Sequence, residues 1–503
     1  MPGQDFNVTD PIFEWAQRAP YAVAIIDGSE IIHYRTLWAA VRRAMSTFHE
    51  AGWQPGDVIA ISMRGSFALQ MTVSLALARA AIAQVWLPPH DPIEYRLALA
   101  RNLDVKAVIT DDDQGRLEPI ESWSVDAGWL STWETAAVPS DRRVHGAGRT
   151  LIFIQSSGTT GTPKEIVVTH DDERTFAARN NHHSACWPGE RCMFLTGLQF
   201  WTGLARSLRC LANGAAIVTP PPNRTMADLK RAIDLHGVTY LWCAPLHVNG
   251  LLEGIDDDLP RLAGLRFFCC SSGALSLAAT QEARRRISPN LSIQYGSNEA
   301  GGITAAPPVL VERYPDCVGL PLPGIELQVV DENDQPVPID TLGHVRIRGA
   351  SISPARMRDA APGATVAYKG DWFYPGDIGL RNAEGILFLK GRSDEVMNFN
   401  GIMIGPDAIE SVLRGHPAVR DAAAFPVPSP VHQDIPAAAV VLRSPVSLME
   451  LSHFCTRHLG NRAPRLLFVV HSIPRSAIGK VQRRRLTEFA LAQVVAARGR
   501  GEG

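Results

Sequence analysis

What this chain has little of narrows its function first. It has almost no net charge: 49 Lys and Arg stand against 51 Asp and Glu, leaving −2. No excess of either sign therefore points to nucleic acid or to a membrane surface. It has no clean apolar run of bilayer length. The longest candidate, "FALQMTVSLALARAAIAQVWLP", is broken by Gln70, Arg79 and Gln84, whereas a spanning helix needs about 20 residues with few or no charges. It reads as a buried helix leading into a strand. The eight cysteines include no CxxC pair. Cys269 and Cys270 lie side by side on a strand-like run, which suits buried thiols better than a disulfide framework. The amino-terminal "MPGQDFNVTDPIFEW" has acidic residues and no apolar core, unlike a secretory signal, so the cytoplasm is the expected compartment.

What is present is the composition of a soluble globular protein, 46% hydrophobic and 20% charged. The 503 residues exceed one ordinary core and imply roughly two to four domains, with no internal repeat or low-complexity linker to mark them. Short apolar β-rich runs ("YAVAII", "DVIAISM", "KAVIT", "TLIFIQ", "AAIVT", "YLWCAPL", "LRFFCC", "LSIQYG") alternate with helical stretches. That alternation predicts an α/β region of largely parallel, buried strands. After about residue 320, strands joined by Glu332-Asn333-Asp334 and by Asn382 to Gly385 predict antiparallel hairpins. From about 395, a helix near "PDAIESVLRGH", strands at "AAAFPV", "PAAAVVL" and "LLFVV", and a basic tail predict a small α+β domain.

A phosphate-binding loop of the Walker type is also missing, although something close to it stands after "TLIFIQ". The stretch Ser156-Ser157-Gly158-Thr159-Thr160-Gly161-Thr162-Pro163-Lys164 has Pro163 where the second Walker glycine should fall, and Glu165 follows the lysine. A strand followed by Gly158 and Gly161 among hydroxyl residues still lets backbone N–H and hydroxyl groups approach an anion. Lys164 can add a point charge to a phosphate.

This loop resembles the signature of the adenylate-forming enzymes: acyl- and aryl-CoA synthetases, peptide-synthetase adenylation domains and luciferases. Four further blocks resemble that superfamily in the expected order. They are "QYGSNEAG" at 294–301, "WFYPGDIG" at 372–379, "GRSDEVMNFNGIMIGPDAIE" at 391–410 and "PRSAIGKVQRRRL" at 474–486. The resemblance implies a large amino-terminal α/β region with a distorted β-barrel portion over 1–393. A small mobile α+β domain over 394–503 would carry the catalytic lysine. It implies nucleotide contacts from the loop Ser156, Ser157, Gly158, Thr159, Thr160 and Gly161, and from Gly273, Gly296 and Asn298. Tyr295 is expected against the adenine, with Asp377 and Arg392 at the ribose hydroxyls. Glu299 is the implied ligand of Mg²⁺, a hard ion that takes carboxylate and phosphate oxygens. Lys480 is expected to reach the α-phosphate and the acyl carboxylate. Asp394 matches the hinge, and Gly401 the wall of a pantetheine channel.

The chain departs from the pattern at several points. Glu165 replaces the usual glycine and is unfavourable beside an anion unless it points away. Asn298 replaces the threonine before Glu299. Asn398, Met403 and Ala408 alter the hinge block, and the first two argue against a peptide-synthetase adenylation domain. In the pocket block "TGLQFWTGLARSL", Phe200 stands three residues before Gly203 where a histidine is common. Phe200, Trp201 and Gly203, with Ser272 in the turn "SSGALS", are the candidate walls of an apolar acid pocket. The adjacent His182 and His183, with no carboxylate partner at helical spacing, read as surface residues, not as a zinc site.

The expected activity is ATP-dependent conversion of a carboxylic acid, preferably aryl or medium-sized and apolar, to an acyl-adenylate with pyrophosphate release. A thiol, most readily coenzyme A, then displaces AMP. The cofactors implied are ATP, Mg²⁺ and coenzyme A or a carrier-protein phosphopantetheine. An acyl or peptidyl carrier protein, or an amine, is the alternative acceptor. A nucleotide-binding relative without turnover is the alternative from another class.

Overall fold

A computed structural model describes residues 6–125, 143–156, 164–221, 226–254, 262, 264–358, 368–393, 395–400, 402–429, 431–476 and 479–499. The predicted alternation becomes two large sheets. In the nine-stranded sheet, strands Val23–Asp27, Ala216–Val218, Arg191–Phe194, Tyr240–Cys243, Phe267–Ser271 and Leu291–Ser297 run parallel as neighbours, with antiparallel strands at both edges. In the seven-stranded sheet, Thr150–Ser156, Ala83–Trp86, Val58–Ser62, Val105–Thr110 and Glu121–Ser124 are parallel, and Lys164–Thr169 returns antiparallel to Thr150–Ser156.

The interrupted apolar run is the helix Phe67–Arg79 followed by the strand Ala83–Trp86. Side chains are buried on every face of this helix, so it belongs between layers and not on the surface. Arg79, which ends it, is also buried: its guanidinium pairs with Asp10 at 2.5 Å and lies over Phe13 and Trp38. The charge that breaks the run is thus matched inside the protein.

The region after residue 320 is a six-stranded antiparallel sheet that occupies the place of the expected distorted barrel portion. It includes the hairpin Asp377–Arg381/Leu387–Arg392, which turns at Asn382–Gly385 as the turn residues predict. A fourth sheet of five strands is built wholly from residues after 396. Helices Pro406–Arg414 and Leu448–Leu459 pack with it, and the basic tail forms a further helix, Arg483–Gly499. Among the described residues no helix is long and apolar enough to cross a membrane. All eight cysteines are buried free thiols.

Candidate active site

A single cleft of about 2160 Å³ is lined by residues from both large sheets, the antiparallel sheet and the carboxy-terminal region. The phosphate-type loop joins two neighbouring antiparallel strands. Ser156 faces Lys164 in register and Gln155 faces Glu165. Ser157, Gly158, Thr159, Thr160 and Gly161 lie outside the described residues, and of Ser156 and Lys164 only the backbone is described. Glu165 does point away from the cleft: it is 7% exposed, its Oε1 accepts from Asn102 Nδ2 at 3.1 Å, and it does not line the cleft. The carboxylate that looked unfavourable beside an anion is therefore kept off the cleft wall.

Tyr295, Asp377 and Arg392 meet at one wall. Asp377 and Arg392 are cross-strand partners, and the Tyr295 hydroxyl donates to Asp377 Oδ2. Arg392 Nη1 lies 3.7 Å from Asp377 Oδ1 and donates to the Pro375 carbonyl at 2.8 Å. Burial first, then the Asp377 charge, pushes the Tyr295 phenol well above its ordinary value, so it stays a neutral donor. Gly376 has φ +85°, and a Cβ there would press on the Arg392 guanidinium. The turn before Asp377 thus needs glycine.

Glu299 follows the strand that carries Tyr295. Its backbone carbonyl accepts from Arg356 Nη1, while its carboxylate lines the cleft without a hydrogen bond from any described residue. A part-buried carboxylate left open in this way suits a hard divalent cation arriving with a nucleotide. Asn298 donates from Nδ2 to the Gln155 carbonyl at 3.3 Å. It ties this segment to the strand leading into the phosphate-type loop, so the replacement of threonine acquires a positioning contact. Gly296 also lines the cleft, and a Cβ there would run into the Gly301 carbonyl.

Lys480 comes from the carboxy-terminal region. Gly479, at φ +81°, packs so closely on Leu246 that a Cβ would lie 2.5 Å from Leu246 Cδ2. The loop is braced by Arg475, which donates to the Gly479 carbonyl at 3.0 Å and pairs with both Asp421 oxygens at 3.0 and 2.8 Å. Lys480 lines the same cleft as Tyr295, Asp377 and Glu299, and its ammonium has no carboxylate partner among the described residues.

The family model for AMP-binding enzymes matches residues 12–355, and that for the AMP-binding enzyme C-terminal domain matches residues 408–480. The chain belongs to the AMP-binding enzyme family. A sulfoacetate–CoA ligase of Cupriavidus necator is 26% identical over 466 residues, covering 88% of this chain and 90% of the relative. A probable non-canonical nonribosomal peptide synthetase, CymA, of Salinispora arenicola is 28% identical over 509 residues. That match covers 96% of this chain, which spans only 6% of CymA. The o-succinylbenzoate CoA synthetase of Bacillus subtilis, solved with its acyl-adenylate intermediate, superposes with a TM-score of 0.83 at 22% identity. The superposition covers 95% of this chain and 97% of that one, and shows a shared fold. In this AMP-binding enzyme the two matched segments face each other across the cleft, and Asp377 and Arg392 fall in the stretch between them.

The deep end of the enzyme's cleft is the candidate acid pocket. Phe200 and Trp201 both line it, but differently: Phe200 is half-buried, whereas Trp201 is 6% exposed and belongs to the main core. Gly203 does not line it. A Cβ there would collide with the carbonyl oxygens of Gly197 and Thr196, the latter 2.5 Å away, so this glycine seats the helix Trp201–Ala212. Ser272 and Gly273 line the pocket from the turn after Phe267–Ser271, with Ser272 held at the left-handed φ of +71°. His182 is exposed as expected, but His183 turns inward against Phe267, and burial pushes its imidazole down to about 4. Asp394 and Gly401 lie outside the described residues.

Sequence reasoning missed two pocket residues, Arg206 and Trp242. The Arg206 guanidinium carbon sits over the Trp242 ring, 3.7 Å from its centroid, and both residues line the cleft. The only sequence signal was helical spacing, since Thr202, Ala205, Arg206 and Arg209 recur on one face of their helix.

Proposed function

We propose that this protein is an ATP-dependent acid:thiol ligase. The observation that carries the reading is the convergence of Tyr295, Asp377, Arg392, Glu299 and Lys480 on one cleft from three separate parts of the chain. An oxygen of the acid's carboxylate attacks the α-phosphate of ATP and the bond to pyrophosphate breaks, giving an acyl-adenylate. A thiolate then attacks the acyl carbon, the bond to the AMP oxygen breaks, and a thioester leaves. Attacking and leaving groups are both anionic, so positioning and charge neutralisation carry most of the catalysis.

Tyr295, Asp377 and Arg392 hold the adenosine end, with the Tyr295 hydroxyl and the Arg392 guanidinium orienting the Asp377 carboxylate toward the ribose hydroxyls. Ser156, Ser157, Gly158, Thr159, Thr160, Gly161 and Lys164 are assigned to the phosphates. Mg²⁺ bound with ATP would be held at Glu299 and would neutralise phosphate charge. Lys480 brings a cation between the acid and the α-phosphate. Phe200, Trp201 and Ser272 enclose the acid, and the pocket's aromatic walls favour an aryl or medium-sized acid.

The domains are assigned as 1–393 and 394–503. Rotation of the small one about Asp394 would withdraw Lys480 and present Gly401 and its neighbours for thiol transfer. The cytoplasm, which supplies ATP and coenzyme A, is the assigned compartment. Coenzyme A is the assigned thiol, as in the names of the sulfoacetate and o-succinylbenzoate relatives. A carrier-protein phosphopantetheine is the second reading, favoured by the match to a peptide synthetase along nearly the whole chain. An amine is a further acceptor, in keeping with the fold shared with an amide bond synthetase of Marinactinospora thermotolerans.

Acid-dependent pyrophosphate release, measured over a panel of acids with and without coenzyme A, tests the reading. Sustained release that needs coenzyme A is the expected result. A single stoichiometric burst that coenzyme A does not relieve moves the acceptor to a carrier protein or an amine. Nucleotide binding with no release for any acid would make the protein a non-catalytic relative.

A further inference from the structure

The helix Trp201–Ala212 turns two arginines toward the deep end of the cleft, and their surroundings differ. Arg209 is neutralised in place: its Nε and Nη2 donate to the two oxygens of Glu173 at 2.6 and 2.7 Å. Arg206 is 7% exposed, and its hydrogen-bond partners are all neutral. Nη1 donates to Ser184 Oγ at 2.7 Å, and Nη2 to Asn180 Oδ1 at 3.1 Å and Gln294 Oε1 at 2.8 Å. These acceptors are themselves fixed, because Gln294 Nε2 donates to Asn180 Oδ1 at 2.5 Å and Asn180 Nδ2 to the Phe176 carbonyl at 2.7 Å. The bonds occupy three of the five guanidinium N–H groups, leaving Nε–H and one Nη1–H without an acceptor among the described residues.

A buried cation is costly unless an opposite charge meets it. Burial does pull the Arg206 guanidinium down, to about 10, but that leaves it protonated at neutral pH. Glu173, the carboxylate that acts on it electrostatically, is already engaged on both oxygens by Arg209. The cleft lining therefore holds an oriented positive charge, backed by amides and set over an indole, with donors to spare. Nothing in an apolar acid would use it.

We propose that Arg206 receives a second anionic group on the acid, so that the preferred substrate carries a carboxylate or sulfonate at the end remote from the carboxylate that is activated. This rests on the acid-activating reading above. The reacting carboxylate loses its charge when it joins AMP, so the charge that answers Arg206 must belong to another group. The walls Phe200, Trp201 and Trp242 then enclose the spacer between the two acidic ends, and the spacer, not the whole acid, is the apolar part.

The test compares pyrophosphate release by the wild-type protein with matched acids: butyric, valeric and benzoic against succinic, glutaric and isophthalic. The same panel is run on Arg206→Gln and Arg206→Lys. A wild-type preference for a diacid over its monoacid counterpart by about 100-fold in kcat/KM is expected. Arg206→Gln should lower the diacid value about 30- to 1000-fold more than the monoacid value, chiefly through KM. Arg206→Lys should recover part of the loss. A structural role would move both classes together, and that result overturns the proposal. So does a wild-type preference for monoacids, which needs no variant to fold. If no acid of either class releases pyrophosphate while nucleotide still binds, the parent reading falls and this one with it. Release with monoacids alone removes only the assignment of Arg206.

Discussion

Lys480 and Glu299 illustrate what single residues contribute to this site. Each presents a charge to the cleft with no ion pair to a described residue, and such a charge costs little to keep only if a ligand answers it. Replacing Lys480 by Ala should lower acid-dependent pyrophosphate release by about 10²- to 10³-fold, the loss typical of one preorganised electrostatic group. Thioester formation from supplied acyl-adenylate should be largely kept. Rapid-quench assays of the two half-reactions check this, and normal adenylation in the variant would remove Lys480 from the first step. The motif residues were legible in the sequence because each sits in a short block whose neighbours are local. Arg206 and Trp242 were not legible: they meet only because a helix and a strand separated by about thirty residues pack together. The orientation of Glu165 was equally hidden, since it depends on which strand face the chain presents after the loop.

The helices show why certain residues cannot vary. The helix His170–Ser184 begins with a capping box, in which Thr169 Oγ1 accepts from Asp172 N at 3.1 Å and Asp172 Oδ2 accepts from Thr169 N at 2.9 Å. His170, its first residue, is fully buried, and its Nε2 has no hydrogen-bond partner. Burial foremost pushes His170 down to about 4, and a cation at a helix amino terminus is unfavourable as well. The unfolded chain takes up this proton near pH 6.5 and the folded one only near 4. Stability is therefore full above pH 6.5 and falls as the pH drops toward 4. His170 alone contributes on the order of 3 kcal/mol to that loss. Urea midpoints at pH 7 and pH 5 should show it, with a smaller difference in His170→Asn; equal differences would mean that His170 is not buried neutral. His183 adds a titration of the same sign, and its inward turn was missed because adjacent histidines carry no signal of which faces the sheet. On the next helix, Gly203→Ala should cost about 1–3 kcal/mol by forcing Cβ against two carbonyl oxygens. A lowered urea midpoint with a disturbed acid KM checks it; an unchanged midpoint would contradict the close seating of Trp201–Ala212.

At the scale of the whole molecule, the division of labour follows from layering. The parallel sheets bring loops from distant parts of the chain to the cleft, the antiparallel sheet delivers Asp377 and Arg392, and the segment between the last strand and the last helix supplies Lys480. The apolar runs, the change of texture near 320 and the small final unit could be read from the sequence because strand period and turn chemistry are local. Strand order could not: Ala216–Val218 lies between Val23–Asp27 and Arg191–Phe194, an arrangement set by long-range packing. The central claim is that this assembly cuts ATP at the α-phosphate and joins AMP to the acid. Running the complete reaction with acid labelled by ¹⁸O in its carboxylates tests it most directly, with AMP collected for mass spectrometry. One ¹⁸O atom transferred to each AMP is the expected result, because the acid's oxygen stays on phosphorus when the thiol takes the acyl group. Unlabelled AMP, or ADP and phosphate in its place, would contradict the account.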